Sequence, residues 1–157
     1  MSQEKVYFGA GCFWGVQSLF DELSGVIQTT VGYQGGHTHN PTYEDVCTDQ
    51  TGHAEVVEVV YDSQKISFEK LLETFFKIHD PTTPHRQGVD VGSQYRSLIF
   101  YINEDQKEKA LSYKEHLEKE KRFKKPIVTQ ILKAGTFYKA EEYHQKYHEK
   151  HGGGCHL

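Results

Sequence analysis

The sequence predicts an α+β fold, a two-layer ferredoxin-like α/β sandwich with a mostly antiparallel mixed sheet and an irregular carboxyl-terminal tail. Three observations carry that expectation. Short β-branched and aromatic runs alternate with stretches whose apolar residues recur at three and four, so strands and helices interleave. Their order reads β-α-β-β-α-β-α-β with no repeat and no linker, which places helices together over one sheet. Finally, 157 residues is the size of one domain.

Each element has a local reason. Lys5 to Ala10 is a short apolar run ending among Gly9 and Gly11, a strand entering a tight turn. Beyond it Val16, Leu19, Phe20 and Leu23 share one helix face, and Gly25 is placed to cap the end. That helix starts close to Cys12. Val26 to Gly32 alternates with threonines as a second strand. Residues 33–53 carry almost no periodic apolar signal, and so long a polar loop inside a compact domain is usually either disordered or functional. Ala54 to Tyr61, with four valines, is the plainest strand. Ser67 is placed to cap the next helix, Ile66 and Leu71 to staple it. Phe68, Leu71, Leu72, Phe75 and Phe76 form its apolar stripe, and Asp80-Pro81 stops it. After a second irregular stretch, Tyr95 to Ile102 is another strand. Asn103 caps a charged helix running to about Lys121, Pro126 closes it off, and Ile127 to Leu132 is the last strand. From about 140 to 157 the chain is aromatic and histidine-rich without an evident core. It is expected to be a flexible tail on a single catalytic domain spanning 1–157.

Charge and composition exclude several classes. Eighteen basic against 22 acidic residues leave a formal net charge of -4, the wrong sign for a binder that neutralises nucleic-acid phosphates. No apolar run approaches the roughly 20 residues that span a bilayer. The amino terminus lacks a stretch of signal-peptide length, so a cytoplasmic, monomeric protein is expected. Three cysteines, Cys12, Cys47 and Cys155, make neither a disulfide framework nor a Cys-x-x-Cys pair.

Cys12 is the most informative residue. Between a glycine turn and a first helical turn, unpaired N–H groups and the helix dipole favour an anion and hence a nucleophilic thiolate. The plainer alternative is a small buried hydrophobe. Phe13 and Trp14 follow directly, and the helix stripe is complete without either ring, so both can line a pocket. Glu55 opens the valine-rich strand on the face of Val57, Val59 and Tyr61. If that face is covered, burial keeps a proton on the carboxyl and makes it a general acid; if not, it is an ordinary solvated glutamate. The two long loops contribute Tyr43 and the group Asp90, Ser93, Gln94 and Tyr95, with half-buried packing as the alternative for the tyrosines and a turn for Asp90. Cys47, in a polar loop without a basic neighbour, reads as inert. Cys155 follows three glycines, a tether on which a thiol can swing to meet another sulfur. Two rival readings stay open on these residues. One is a metal-binding module built from His144, His148, His151, Cys155 and His156. The other is a cysteine hydrolase using Cys12 with Asp90 and a histidine that nothing selects.

Gly11-Cys12-Phe13-Trp14-Gly15 resembles the signature of the A-type peptide methionine sulfoxide reductases. The likeness continues through Val31-Gly32-Tyr33, Pro41-Thr42-Tyr43-Glu44 and Thr51-Gly52-His53-Ala54-Glu55. It resumes at Asp80-Pro81-Thr82-Thr83 and Asp90-Val91-Gly92-Ser93-Gln94-Tyr95-Arg96-Ser97, and closes with Phe137-Tyr138, Ala140-Glu141 and His144-Gln145-Lys146-Tyr147. The resemblance implies reduction of methionine S-sulfoxide, free or in proteins, with no metal and no cofactor. It makes Cys12 the nucleophile and Glu55 the proton source. Tyr43, Asp90 and Tyr95 would hold the sulfoxide oxygen or its water, and Phe13 and Trp14 would receive the S-methyl group. It further implies a Cys12 sulfenic acid resolved by Cys155 and a disulfide recycled by thioredoxin. The chain departs from the family pattern in keeping one carboxyl-terminal cysteine and in having Val89 beside Asp90.

Overall fold

The structure, a computed structural model, describes residues 3–147. Its strands are β1 (Gln3–Gly9), β2 (Val26–Gln34), β3 (Ala54–Asp62), β4 (Arg86–Gln87), β5 (Asp90–Val91), β6 (Leu98–Tyr101), β7 (Gln130–Lys133) and β8 (Tyr138–Lys139). Its helices are α1 (Phe13–Asp21), α2 (Tyr43–Cys47), α3 (Phe68–Lys77) and α4 (Glu104–Lys119). The main sheet runs β7-β6-β1-β3-β2-β8, while β4 and β5 make a separate hairpin. All pairs are antiparallel except β6 with β7, so the sheet is mixed and mostly antiparallel.

Alternation along β3 explains both layers. Val57, Val59 and Tyr61 point to one face, where Val6 and Phe8 of β1 join Phe13, Val16 and Phe20 of α1 and the stripe of α3. Phe8 lies between Phe20 and Phe75, ring centroids 4.9 and 5.1 Å away. Full burial of a ring of this kind contributes about 1.5–3 kcal/mol. Ala110 and Leu117 bring α4 onto the same face. Ala54 and Val56 point the other way, with Tyr7, Leu98 and Phe100, and are covered by Ala134 and Phe137. Helices therefore close one face and the segment leading into β8 closes the other.

Several boundaries differ from the sequence expectation for identifiable reasons. The polar stretch 33–53 contains α2, whose five residues hold a single buried side chain, Val46, too little for a periodic signal. Its mark is a capping box, in which Thr42 accepts from the Asp45 N–H and Asp45 accepts in return from the Thr42 N–H. The strand expected from Tyr95 starts at Leu98, because Ser93–Tyr95 form one 3-10 turn that drops back with the Arg96 N–H on the Ser93 carbonyl. The last expected strand begins at Gln130 rather than Ile127, where pairing with β6 begins.

The largest correction concerns the tail. Residues 140–147 were expected to lack a core, yet Ala140, His144 and Gln145 are buried. Gln145 closes like a clasp on β2, accepting from the Val31 N–H at 2.9 Å and donating to the Val31 carbonyl at 2.9 Å. The Lys146 N–H reaches Gln17 of α1 at 2.6 Å. A run poor in aliphatic residues docks here through amide and aromatic contacts, which hydrophobic periodicity does not register. Gly32 of β2 permits the close approach, since a Cβ there would collide with the Phe137 ring and the Tyr138 carbonyl. The remainder of the expected tail, including His148, His151, Cys155 and His156, lies outside the described residues.

Candidate active site

The site assembles where β1 ends. Gly11 takes φ +102°, a left-handed conformation natural to glycine, and turns the chain from β1 into α1. Cys12 thereby becomes the residue that opens α1, mostly buried at 8% exposure. Thr42, Ser67 and Asn103 cap their helices with side-chain oxygens, whereas the Cys12 side chain makes no cap bond. Neither Cys12 nor Cys47 is in a disulfide.

Glu55 lies on the covered face of β3, paired with Tyr33 of β2 and 1% exposed. The question left open by alternation, which face is sealed, is answered by α1. Glu55 Oε1 accepts from the Phe13 N–H at 3.2 Å, the first amide of that helix. Carboxyl and thiol are thus held on consecutive backbone units. Phe13 differs from its expected place as a pocket wall. Its ring is 1% exposed, packed in the core against Tyr33, Tyr43 and His144. Trp14 is half-buried and stacks on Tyr147 with centroids 3.8 Å apart and planes 10° from parallel.

Three tyrosines surround this centre. Burial first and the Glu55 charge second push the Tyr43 phenol well above its ordinary value, and a hydrogen bond to Cys47 adds to that. Tyr95 is raised by burial, then by Glu55, Cys47, Asp90 and Cys12, so all four acidic groups lie within electrostatic reach of one phenol. Tyr33 is raised by burial and by its bond to Glu141 at 2.9 Å. All three remain neutral hydrogen-bond donors at any ordinary pH. Asp90 lies at the start of β5, half-buried, and burial lifts its carboxyl above the usual range. The hairpin that carries it is anchored by Gln87, which accepts from the Asp80 N–H at 2.9 Å and donates to the Asp80 carbonyl at 2.6 Å. Val89 forms its tip, 96% exposed.

Cys12, Glu55, Tyr43, Asp90 and Tyr95 therefore come together, with Trp14 beside them. Cys47, read from sequence as inert, lies against Tyr43 one helical turn away, and burial raises its thiol even though the Tyr43 bond opposes this. Sequence reasoning missed Glu141, and singled out His144 only as a possible metal ligand. Glu141 accepts from the Tyr43 N–H at 2.9 Å and so fixes α2, while His144 accepts at Nδ1 from the Trp14 indole at 2.8 Å. Both belong to the aromatic stretch whose composition signals no core, and only the family resemblance placed them at this site.

A thiol at a helix start, a carboxyl bonded to the neighbouring amide and neutral phenols within electrostatic reach suit the chemistry of a thiol-dependent oxidoreductase. Comparison with known proteins narrows the class. A sequence model of the family described as peptide methionine sulfoxide reductase matches residues 4–157, and the chain belongs to that family. It is 58% identical over 149 residues to the peptide methionine sulfoxide reductase MsrA of Methanosarcina acetivorans, covering 95% of this chain and 79% of that protein. Among solved structures it resembles Mxr1 of Saccharomyces cerevisiae in reduced form, with 32% identity, TM-score 0.93, and 99% and 92% of the two chains covered. Mxr1 in complex with Trx2 is similar at 25% identity and TM-score 0.67, covering 99% of this chain and 88% of that one. No helix among the described residues is long and apolar enough to cross a membrane.

Proposed function

We propose that this protein reduces methionine S-sulfoxide, free or within proteins, to methionine. The observation that carries the reading is the hydrogen bond from the Phe13 N–H to Glu55, which holds a buried acid beside the residue that follows the thiol. Cys12 attacks the sulfoxide sulfur as Glu55 delivers a proton to the oxygen. Tyr43 and Tyr95 steady that oxygen with neutral hydroxyl donors, Asp90 holds its water in place, and Trp14 receives the S-methyl group against its indole. Phe13 supports this pocket from within the core. The S–O oxygen passes to Cys12, leaving methionine and a sulfenic acid, so sulfur on the substrate gains the two electrons that Cys12 loses. Cys155 then displaces water from the sulfenic acid to form a disulfide, and a thioredoxin-type dithiol reduces it by exchange. The Mxr1–Trx2 complex supports that partner. The strand order β6-β1-β3-β2 with α1 and α3 on one face supports reading the central strands as a ferredoxin-like core, with β7 and β8 added at its edges.

The test uses separated sulfoxide epimers with dithiothreitol as reductant. Methionine should form from the S epimer only, and Cys12→Ser should form none. Turnover by Cys12→Ser, or equal use of both epimers, would overturn the reading.

A further inference from the structure

The centre of the aromatic cluster is a histidine that the proposed chemistry does not use. His144 is fully buried, with the rings of Phe13, Trp14, Tyr43 and Tyr143 at centroid distances of 5.2, 5.6, 4.4 and 4.1 Å. Its Nδ1 lies 2.8 Å from the Trp14 Nε1. An indole N–H only donates, so Nδ1 must be the unprotonated nitrogen and the neutral ring carries its hydrogen on Nε2. That Nε2 is buried with no hydrogen-bond partner among the described residues. A buried donor left without an acceptor costs stability, which a mere packing ring would avoid.

We infer that His144 is a positioning residue for the substrate, locking the Trp14 indole as one wall of the S-methyl slot through its neutral Nδ1. Without that acceptor the indole still stacks on Tyr147 and Tyr43 but, among the described residues, has no hydrogen bond to fix its orientation in the ring plane. The inference rests on the reductase reading for its substrate, though not for the hydrogen bond itself. It also gives the slot an acid limit. Protonation puts a second N–H against the indole N–H, donor against donor, and the lock opens. Burial lowers the basicity of His144, opposed by Glu141 beside it and by Glu44 of α2; the phenols of Tyr43 and Tyr143 that face it stay neutral. The pair therefore survives to a pH below the usual histidine range.

Trp14 is the chain's single tryptophan, so tryptophan emission reports on this indole and its surroundings alone. His144→Asn keeps a side-chain oxygen near the position of Nδ1, whereas His144→Leu removes the acceptor. Emission spectra of the full chain without substrate should match between wild type and His144→Asn and shift in His144→Leu. Lowering pH should change wild-type emission reversibly with a midpoint below about 6.5, and leave His144→Asn flat. With methionine S-sulfoxide and dithiothreitol, KM should rise about tenfold in His144→Leu at near-normal kcat, the loss of one hydrogen bond, and recover in His144→Asn. Unchanged emission in His144→Leu, or a fall in kcat at constant KM, overturns the inference. If wild type shows no reductase activity yet the emission series behaves as described, the lock stands and the reductase reading falls instead.

Discussion

Glu55 shows how one residue acquires a role from its surroundings. Most glutamates lie in water, and this one is sealed at 1% exposure because β3 turns it toward α1 rather than toward the loop on the far face. The Phe13 amide holds Oε1, so the carboxyl has a fixed aim. Glu55→Gln keeps an acceptor for that amide and removes only the transferable proton. The fold should persist, and the rate of methionine formation in a single turnover should fall by about 10²–10⁴, the usual contribution of general acid catalysis. Rapid-quench measurement of methionine against far-UV circular dichroism separates the two effects. An unchanged single-turnover rate would remove Glu55 from the chemistry.

The elements divide by how they declare themselves in sequence. Strand β3 and helix α3 were legible because each is long, and Val57, Val59, Leu71 and Phe75 repeat at one period. Alternation put Glu55 on one face with Val57, Val59 and Tyr61 but left open whether that face is covered, and only the family resemblance joined it to Cys12. Helix α2, the β4–β5 hairpin and the docked stretch 140–147 were not legible, since polar contacts hold them. Glu141 illustrates the difference: it accepts from the Tyr33 hydroxyl and the Tyr43 N–H, each at 2.9 Å, joining β2, α2 and the docked stretch. Burial works against its charge, but bonds from the Tyr43 N–H, its own N–H and the Tyr33 hydroxyl outweigh that and hold its carboxyl below the ordinary value. A depressed carboxylate stabilises the fold fully above its unfolded pKa and loses that contribution as pH falls through its folded one. Glu141→Gln should therefore lower stability near neutrality by about 1–3 kcal/mol, as expected for bonds to a charged group. The deficit relative to wild type should shrink toward pH 3. Urea unfolding at several pH values measures it, and a pH-independent deficit would deny the charge its part.

At the scale of the whole molecule, one buried histidine couples the helical layer to the strand that leads out of the site. His79 donates from Nδ1 to the Phe75 carbonyl at 2.6 Å and accepts at Nε2 from the Ser97 hydroxyl at 2.7 Å. Ser97 Oγ is 2.7 Å from Thr129 Oγ1, so α3, the approach to β6 and the approach to β7 share one chain of bonds. The arrangement needs neutral imidazole, and burial depresses His79 from 6.5 to about 4. In the unfolded chain the ring takes up its proton near 6.5, so between 6.5 and about 4 the unfolded state binds more protons than the native one. Stability must then be complete above pH 6.5 and decline as pH falls toward 4, by at most roughly 1.4 kcal/mol per pH unit from this group. His79→Gln keeps a buried polar side chain that does not titrate. It should be less stable than wild type at pH 7.5, because a fitted bond chain is disturbed, yet lose less on going to pH 5. Thermal unfolding of both proteins at the two pH values decides the matter. Parallel losses would mean that another buried base, with His144 the next to examine, governs how the whole fold responds to acid.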